Sequence, residues 1–200
     1  MISIVCFDLV PEALEISGIP LILLGILLGV VCMIMCDILV QKRFSTNLHH
    51  TKNKNTLLTT GIIVSIGLAL HNFPEGLAIG SGFGASMKLG YSLALAILLH
   101  DIPEGVSMAV PMKNGGIKAT KVICYVILSG VTTGIGAFFG ALIGSISEGV
   151  IAICLSFAAG AMLYIVSGEL IPESNKLYKG RMNSIGNILG FLLGILATMI

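Results

Sequence analysis

The chain has 200 residues, 56% of them hydrophobic and only 10% charged, with a formal net charge of +1 and a mean hydropathy of +1.02. A soluble domain averages about 25% charged residues, so the composition excludes an ordinary water-soluble fold and specifies a membrane protein. The net charge is itself uninformative, though the distribution of the basic residues is not; no nucleic-acid partner is expected.

Six apolar segments stand out in chain order, at 18–40, 57–79, 89–112, 122–143, 149–172 and 184–200. A membrane-spanning helix needs about 20 residues, so the last segment is marginal. Residues 1–17 are too short to span, and they carry Asp8, Pro11, Glu12 and Glu15 with no basic start; no cleavable signal peptide is expected. The eleven basic residues alternate between loops. Lys42, Arg43, Lys52 and Lys54 lie in 41–56, Lys88 alone in 80–88, and Lys113, Lys118 and Lys121 in the next. None lies near 144–148, and Lys176, Lys179 and Arg181 lie in the last. The positive-inside rule then makes the first, third and fifth loops cytoplasmic and the C-terminus external. Glycines recur every four residues as Gly25/Gly29, Gly136/Gly140/Gly144 and Gly186/Gly190/Gly194. Such stripes let helices approach closely in lipid, within one chain or in a homodimer. The five cysteines form no Cys-x-x-Cys, and Cys32 and Cys36 read as small packing residues.

The chain is organised around one hexapeptide that occurs twice. His71-Asn72-Phe73-Pro74-Glu75-Gly76 returns 29 positions later as His100-Asp101-Ile102-Pro103-Glu104-Gly105. Each copy lies inside an apolar segment, with its His and Glu four apart on one helix face. Two such helices face to face gather two imidazoles, three carboxylates and one amide at a single depth. That is a ligand set for hard-to-borderline divalent cations. Asp, Lys or Arg at the centre of a span costs about 2.5–3.5 kcal/mol and marks an ion path by default. No Lys or Arg shares the depth of Glu75, Asp101 and Glu104, so a metal or proton site is expected. The alternative is a purely structural kink motif. Pro74 and Pro103 lack an N–H, which frees the carbonyls of Leu70 and Leu99. Asn72 reads either as a ligand or as an interhelical hydrogen-bond donor.

A second similarity frames the first. Residues 4–12 (Ile-Val-Cys-Phe-Asp-Leu-Val-Pro-Glu) resemble residues 165–173 (Ile-Val-Ser-Gly-Glu-Leu-Ile-Pro-Glu), and both repeats centre on residue 88. With the alternating loop charges, this predicts an inverted-topology repeat with its site at the midplane. The expected fold is therefore all-α: a polytopic helix bundle of six spans plus the tail of a preceding one. Symmetry predicts that one and a half to two spans are absent before Met1. Chance similarity of nine residues is the alternative. Asp37, Glu169 and Glu173 sit near cytoplasmic span ends, where they read as helix-end residues or as exit-path helpers. Asp8, Glu12 and Glu15 could form an outer vestibule. His49 and His50 read as a solvated loop or a weak metal-capture site.

The two hexapeptides resemble the fourth- and fifth-helix motifs of the ZIP (Zrt/Irt-like) metal transporters, in the pattern of the bacterial zinc-uptake ZupT type. The resemblance covers essentially all of residues 1–200 as one transmembrane domain, with 41–56 as its cytoplasmic loop. It implies eight spans with both termini outside, and uptake of Zn2+ or a related divalent ion into the cytoplasm through a binuclear centre. By motif position, His71, Glu75 and Glu104 would hold one metal. Asn72, Asp101, Glu75 and Glu104 would hold the second, with His100 at a variable position beside it. Ser167-Gly168-Glu169 departs from the Ser-His-Glu often found in the seventh helix. Thr133 stands where many members carry a sixth-helix Glu after a Ser-Gly pair, here Ser129-Gly130, so the second metal is expected to be weaker or absent. The resemblance implies a cell-membrane, multi-pass transporter whose partners are divalent cations and lipid, with no organic cofactor. The ligand types suit Zn2+, Fe2+, Mn2+, Co2+ or Cd2+ alike. Two rival readings remain: an intramembrane metal-dependent hydrolase, although no His-Glu-x-x-His is present, and a shortened, transport-inactive remnant.

Overall fold

The computed structural model describes residues 1–48, 55–177 and 180–198, and every element among them is helical. The chain begins with a short bent helix, α1 (Ile2–Ile4), a π-turn (Val5–Leu9) and α2 (Val10–Ile16). Long helices follow: α3 (Ile19–Leu48), α4 (Asn55–Ala85), α5 (Met87–Asn114), α6 (Ala119–Gly144) and α7 (Glu148–Ile165). A second π-turn (Val166–Leu170) leads to α8 (Ile171–Leu177), and α9 (Arg181–Thr198) closes the described chain. Among the described residues four helices are long and apolar enough to cross a membrane, at Ile19–Val40, Met87–Asn114, Ala119–Gly144 and Glu148–Gly168. Among the described residues Arg181–Leu196 is a shorter apolar helix. His49 and His50 lie outside the described residues.

Burial sorts these helices. In the span Glu148–Gly168, 67% of the apolar window is enclosed, against 17% for Ala119–Gly144. Thus α7 is an inner helix, and α6 turns residues such as Ile127, Leu128 and Phe138 outward, as a lipid-facing surface requires. The main core gathers Leu9, Ala13, Ile22, Ala78, Leu93, Ile97, Leu155 and Met162 where the N-terminal segment, α3, α4, α5 and α7 meet.

Two of the glycine stripes account for the closest helix pairs. A Cβ on Gly76 or Gly80 of α4 would strike the backbone of Thr133 or Ala137 on α6. Reciprocally, a Cβ on Gly136 or Gly140 would strike the carbonyls of Phe73 or Leu77. The same device joins α3 to α7, where Gly29 meets the Phe157 carbonyl and Gly160 meets that of Ile26. The third stripe differs: Gly186 and Gly190 of α9 have nothing within 4 Å, and only Gly194 meets a neighbour, Ser3. The Ser3 hydroxyl donates to the carbonyl of Phe191 at 2.8 Å.

The segment 80–88, expected as a loop, is almost wholly helical. Ser86 alone separates α4 from α5. Its N–H bonds the Gly82 carbonyl at 2.9 Å and ends α4; its hydroxyl accepts from Leu89 N at 3.1 Å and caps α5. The glycines that read as loop here are packing residues, with Gly82 against Leu93 and Gly90 against the Phe83 ring. Those pairings, running backward in sequence, make α4 and α5 an antiparallel hairpin. At its far end Gly116, with φ +87°, reverses the chain into α6; Ile117 N bonds Met112 O at 3.2 Å across that turn.

The nine-residue similarity has a structural counterpart. The two π-turns, Val5–Leu9 and Val166–Leu170, occupy the same positions within residues 4–12 and 165–173. Each precedes the matched proline, Pro11 or Pro172, by the same interval.

Candidate metal centre

The antiparallel hairpin brings the two hexapeptides face to face. Helix α4 stays helical through Pro74, and the copy on α5 falls near the middle of that helix. Glu75 is 1% exposed. His100 Nε2 lies 3.5 Å from Glu75 Oε1 and 3.4 Å from Glu104 Oε2. One ligand atom from each of Glu75, His100 and Glu104 falls within 4.8 Å of the others, the spacing a single cation needs.

Glu104 borders two hollows. One, of about 220 Å³, is lined by His71, His100, Pro103, Ser107, Ile165 and Leu170 together with Glu104. The other, of about 110 Å³, is lined by Asn72, Asp101, Gly105 and Ser129 together with Glu104. Asn72 Oδ1, Asp101 Oδ1 and Glu104 Oε2, from residues that line these hollows, are buried without a hydrogen-bond partner, as is Glu75 Oε2. An unmet buried acceptor costs about 1–3 kcal/mol, more for a charged group. Unmet acceptors of this kind are the ligand type that hard and borderline divalent cations require.

All six expected ligands therefore line the same region, with His100 and not His71 completing the tight triad. His71 is buried on the wall of the larger hollow and feels the charges of Glu104 and Asp37. Asp37 accepts a hydrogen bond from the Tyr164 hydroxyl at 2.7 Å, which ties α3 to α7. Asp8 lies in the first π-turn, and Glu12 and Glu15 lie on the turns of α2 that follow. Glu169 falls in the second π-turn and Glu173 in α8; their side chains lie outside the described residues. Thr133 presents its carbonyl to Gly76, and its hydroxyl is buried without a partner.

The sequence did not single out Ser129 as a contact of Asn72. The Asn72 amide Nδ2 donates to the Ser129 carbonyl at 3.1 Å and to the Ser129 hydroxyl at 3.3 Å. The available signal was the polar Ser129 within the otherwise apolar run 122–131.

The ZIP Zinc transporter family model matches residues 41–200. The chain is 36% identical to the zinc transporter GufA of Myxococcus xanthus over 151 residues, 75% of this chain and 59% of that protein. It is 38% identical to the zinc transporter ZIP11 of Homo sapiens, covering 66% of this chain and 40% of that one. It is 38% identical to the zinc transporter ZupT of Clostridium perfringens, covering 69% and 49%. The chain spans about half the length of the curated relatives it matches.

Proposed function

Because the chain belongs to the ZIP zinc transporter family, a family of multi-pass membrane proteins that carry metal ions, we propose that it forms the central cation path of a divalent-metal transporter. Zinc is the first candidate cargo, with iron, manganese and cobalt as chemically compatible alternatives. The cation binds between α4 and α5, held by Glu75, His100 and Glu104, with His71, Asn72 and Asp101 around them. The observation that carries this reading is the triad itself: two carboxylates, Glu75 buried and Glu104 partly so, and the partly buried imidazole of His100, with ligand atoms within 4.8 Å on an antiparallel, proline-containing hairpin.

A divalent cation offsets the charge of Glu75 and Glu104, and the imidazole replaces part of its hydration shell. Two cations would bring +4 against the −3 of Glu75, Asp101 and Glu104, so a second, weaker site in the smaller hollow is chemically consistent. Exposure then alternates between the two sides of the membrane. The matching π-turns support the inverted repeat on which such a cycle rests. The loop charges orient the helices in the membrane, and inward movement across the cell membrane is what membership of the family suggests.

The test is uptake of radiolabelled zinc into proteoliposomes, run beside hydrolysis assays on peptide and lipid substrates. Uptake without hydrolysis is expected; hydrolysis without uptake would favour the metallohydrolase. His100→Ala removes one of three close ligands. It should raise the zinc concentration for half-maximal uptake by about tenfold or more, since a charge-assisted contact contributes roughly 1.5–3 kcal/mol. Uptake unchanged in that variant would exclude His100 from the centre.

A further inference from the structure

The two hollows that share Glu104 differ in chemistry. The larger one carries imidazoles from His71 and His100. The smaller one carries no imidazole: its polar lining is Asn72, Asp101, Glu104 and Ser129, which present oxygens, beside Met108. Carboxylate and carbonyl oxygens suit harder cations such as Mn2+, whereas imidazole suits Zn2+. An asparagine side chain contributes to an oxygen seat only if its oxygen, not its NH2, faces the hollow.

In this chain that orientation is imposed from α6. Asn72 is 6% exposed, and its NH2 is held against Ser129 by two bonds, 3.1 Å to the carbonyl and 3.3 Å to the hydroxyl. Thr132 donates to the same Ser129 carbonyl at 2.6 Å, which leaves that acceptor shared and makes the hydroxyl the contact dedicated to Asn72. With its NH2 so occupied, Asn72 turns Oδ1 inward, where it is buried and without a hydrogen-bond partner, as is Asp101 Oδ1. We propose that Ser129 is a positioning residue for specificity: by fixing the Asn72 amide it keeps the smaller, imidazole-free hollow an oxygen-rich seat that favours hard divalent cations. The proposal rests on the metal-transport reading, since it assigns selectivity within that same centre.

The experiment compares cation affinities of the detergent-purified full chain. Mn2+ binding is followed by loss of the free Mn2+ electron paramagnetic resonance signal, and Zn2+ binding by competition with a zinc-chelating dye. Ser129→Ala should weaken Mn2+ binding about three- to tenfold, the effect of one hydrogen bond, and leave Zn2+ affinity within about twofold. Ser129→Thr keeps a hydroxyl at the same place and should retain the wild-type ratio. If Ser129→Ala does not yield monodisperse protein, Ser129→Cys serves instead, being close in volume and only a weak acceptor; it must show the same selective loss of Mn2+. Equal weakening of both cations, or an unchanged ratio in the Ala or Cys variant, overturns the role of Ser129. A wild-type chain that binds neither cation overturns the metal reading itself, and the proposal falls with it.

Discussion

Replacing Glu75 or Glu104 by alanine is expected to abolish zinc uptake into proteoliposomes while leaving the protein folded. Both carboxylates flank His100 Nε2, at 3.5 and 3.4 Å, and Glu75 is enclosed almost completely. Removing either leaves a cation with one negative charge fewer in a medium where charge is costly to strand, on the scale of about 2.5–3.5 kcal/mol at a span centre. Removing one member of a buried, charge-assisted set typically costs several kcal/mol in binding. At about 1.4 kcal/mol per tenfold, a loss of that size takes uptake to background. Folding should survive, because an unpaired buried carboxylate destabilises the empty protein and its loss relieves that. Uptake at wild-type rate in the Glu75→Ala/Glu104→Ala double variant would remove the centre from the transport path.

The second large effect is on folding. Gly76→Ala adds one methyl where a Cβ would strike the Thr133 carbonyl of α6. Backbone cannot yield as a flexible side chain can, so α4 and α6 must separate. Overpacking of this kind costs about 1–3 kcal/mol, occasionally more, and here it acts one residue from Glu75. Gly134→Ala makes the same chemical change on α6, at a position with nothing within 4 Å. There the methyl meets only lipid, and the better helix propensity of alanine contributes up to about 1 kcal/mol. Thermal unfolding in detergent should therefore show opposite signs, a marked fall in Tm for Gly76→Ala and no change or a rise for Gly134→Ala. Equal Tm values for the two variants would refute the glycine-on-backbone packing of α4 against α6.

Much of this was legible before any coordinates. The hexapeptide pair announced a buried cluster because carboxylates inside apolar spans have few stable alternatives, and Glu75, His100 and Glu104 do converge. Other features were hidden for identifiable reasons. The run Gly80-Ser81-Gly82-Phe83-Gly84 has the composition of a loop, but its glycines pack helices, and the turn shrinks to Ser86. Periodicity could not say which imidazole joins the two glutamates, since His71 and His100 hold equivalent positions in their copies. That choice depends on how the hairpin staggers its two strands of helix, which the corner at Ser86 sets. The contact of Ser129 with Asn72 spans 57 positions, a separation no local pattern encodes. Equally spaced glycines served opposite ends: Gly136 and Gly140 are clamped, Gly186 and Gly190 are open.

Zinc K-edge X-ray absorption on the purified chain, with and without Glu75 and Glu104, decides whether the cluster between α4 and α5 holds the metal. Zinc is expected to be bound only by nitrogen and oxygen at about 2.0–2.2 Å, with imidazole scattering in the wild type and no retained zinc in the Glu75→Ala/Glu104→Ala variant. Sulfur at about 2.3 Å, placing zinc on cysteines such as Cys32 and Cys36, or an unchanged spectrum in the double variant, would contradict it.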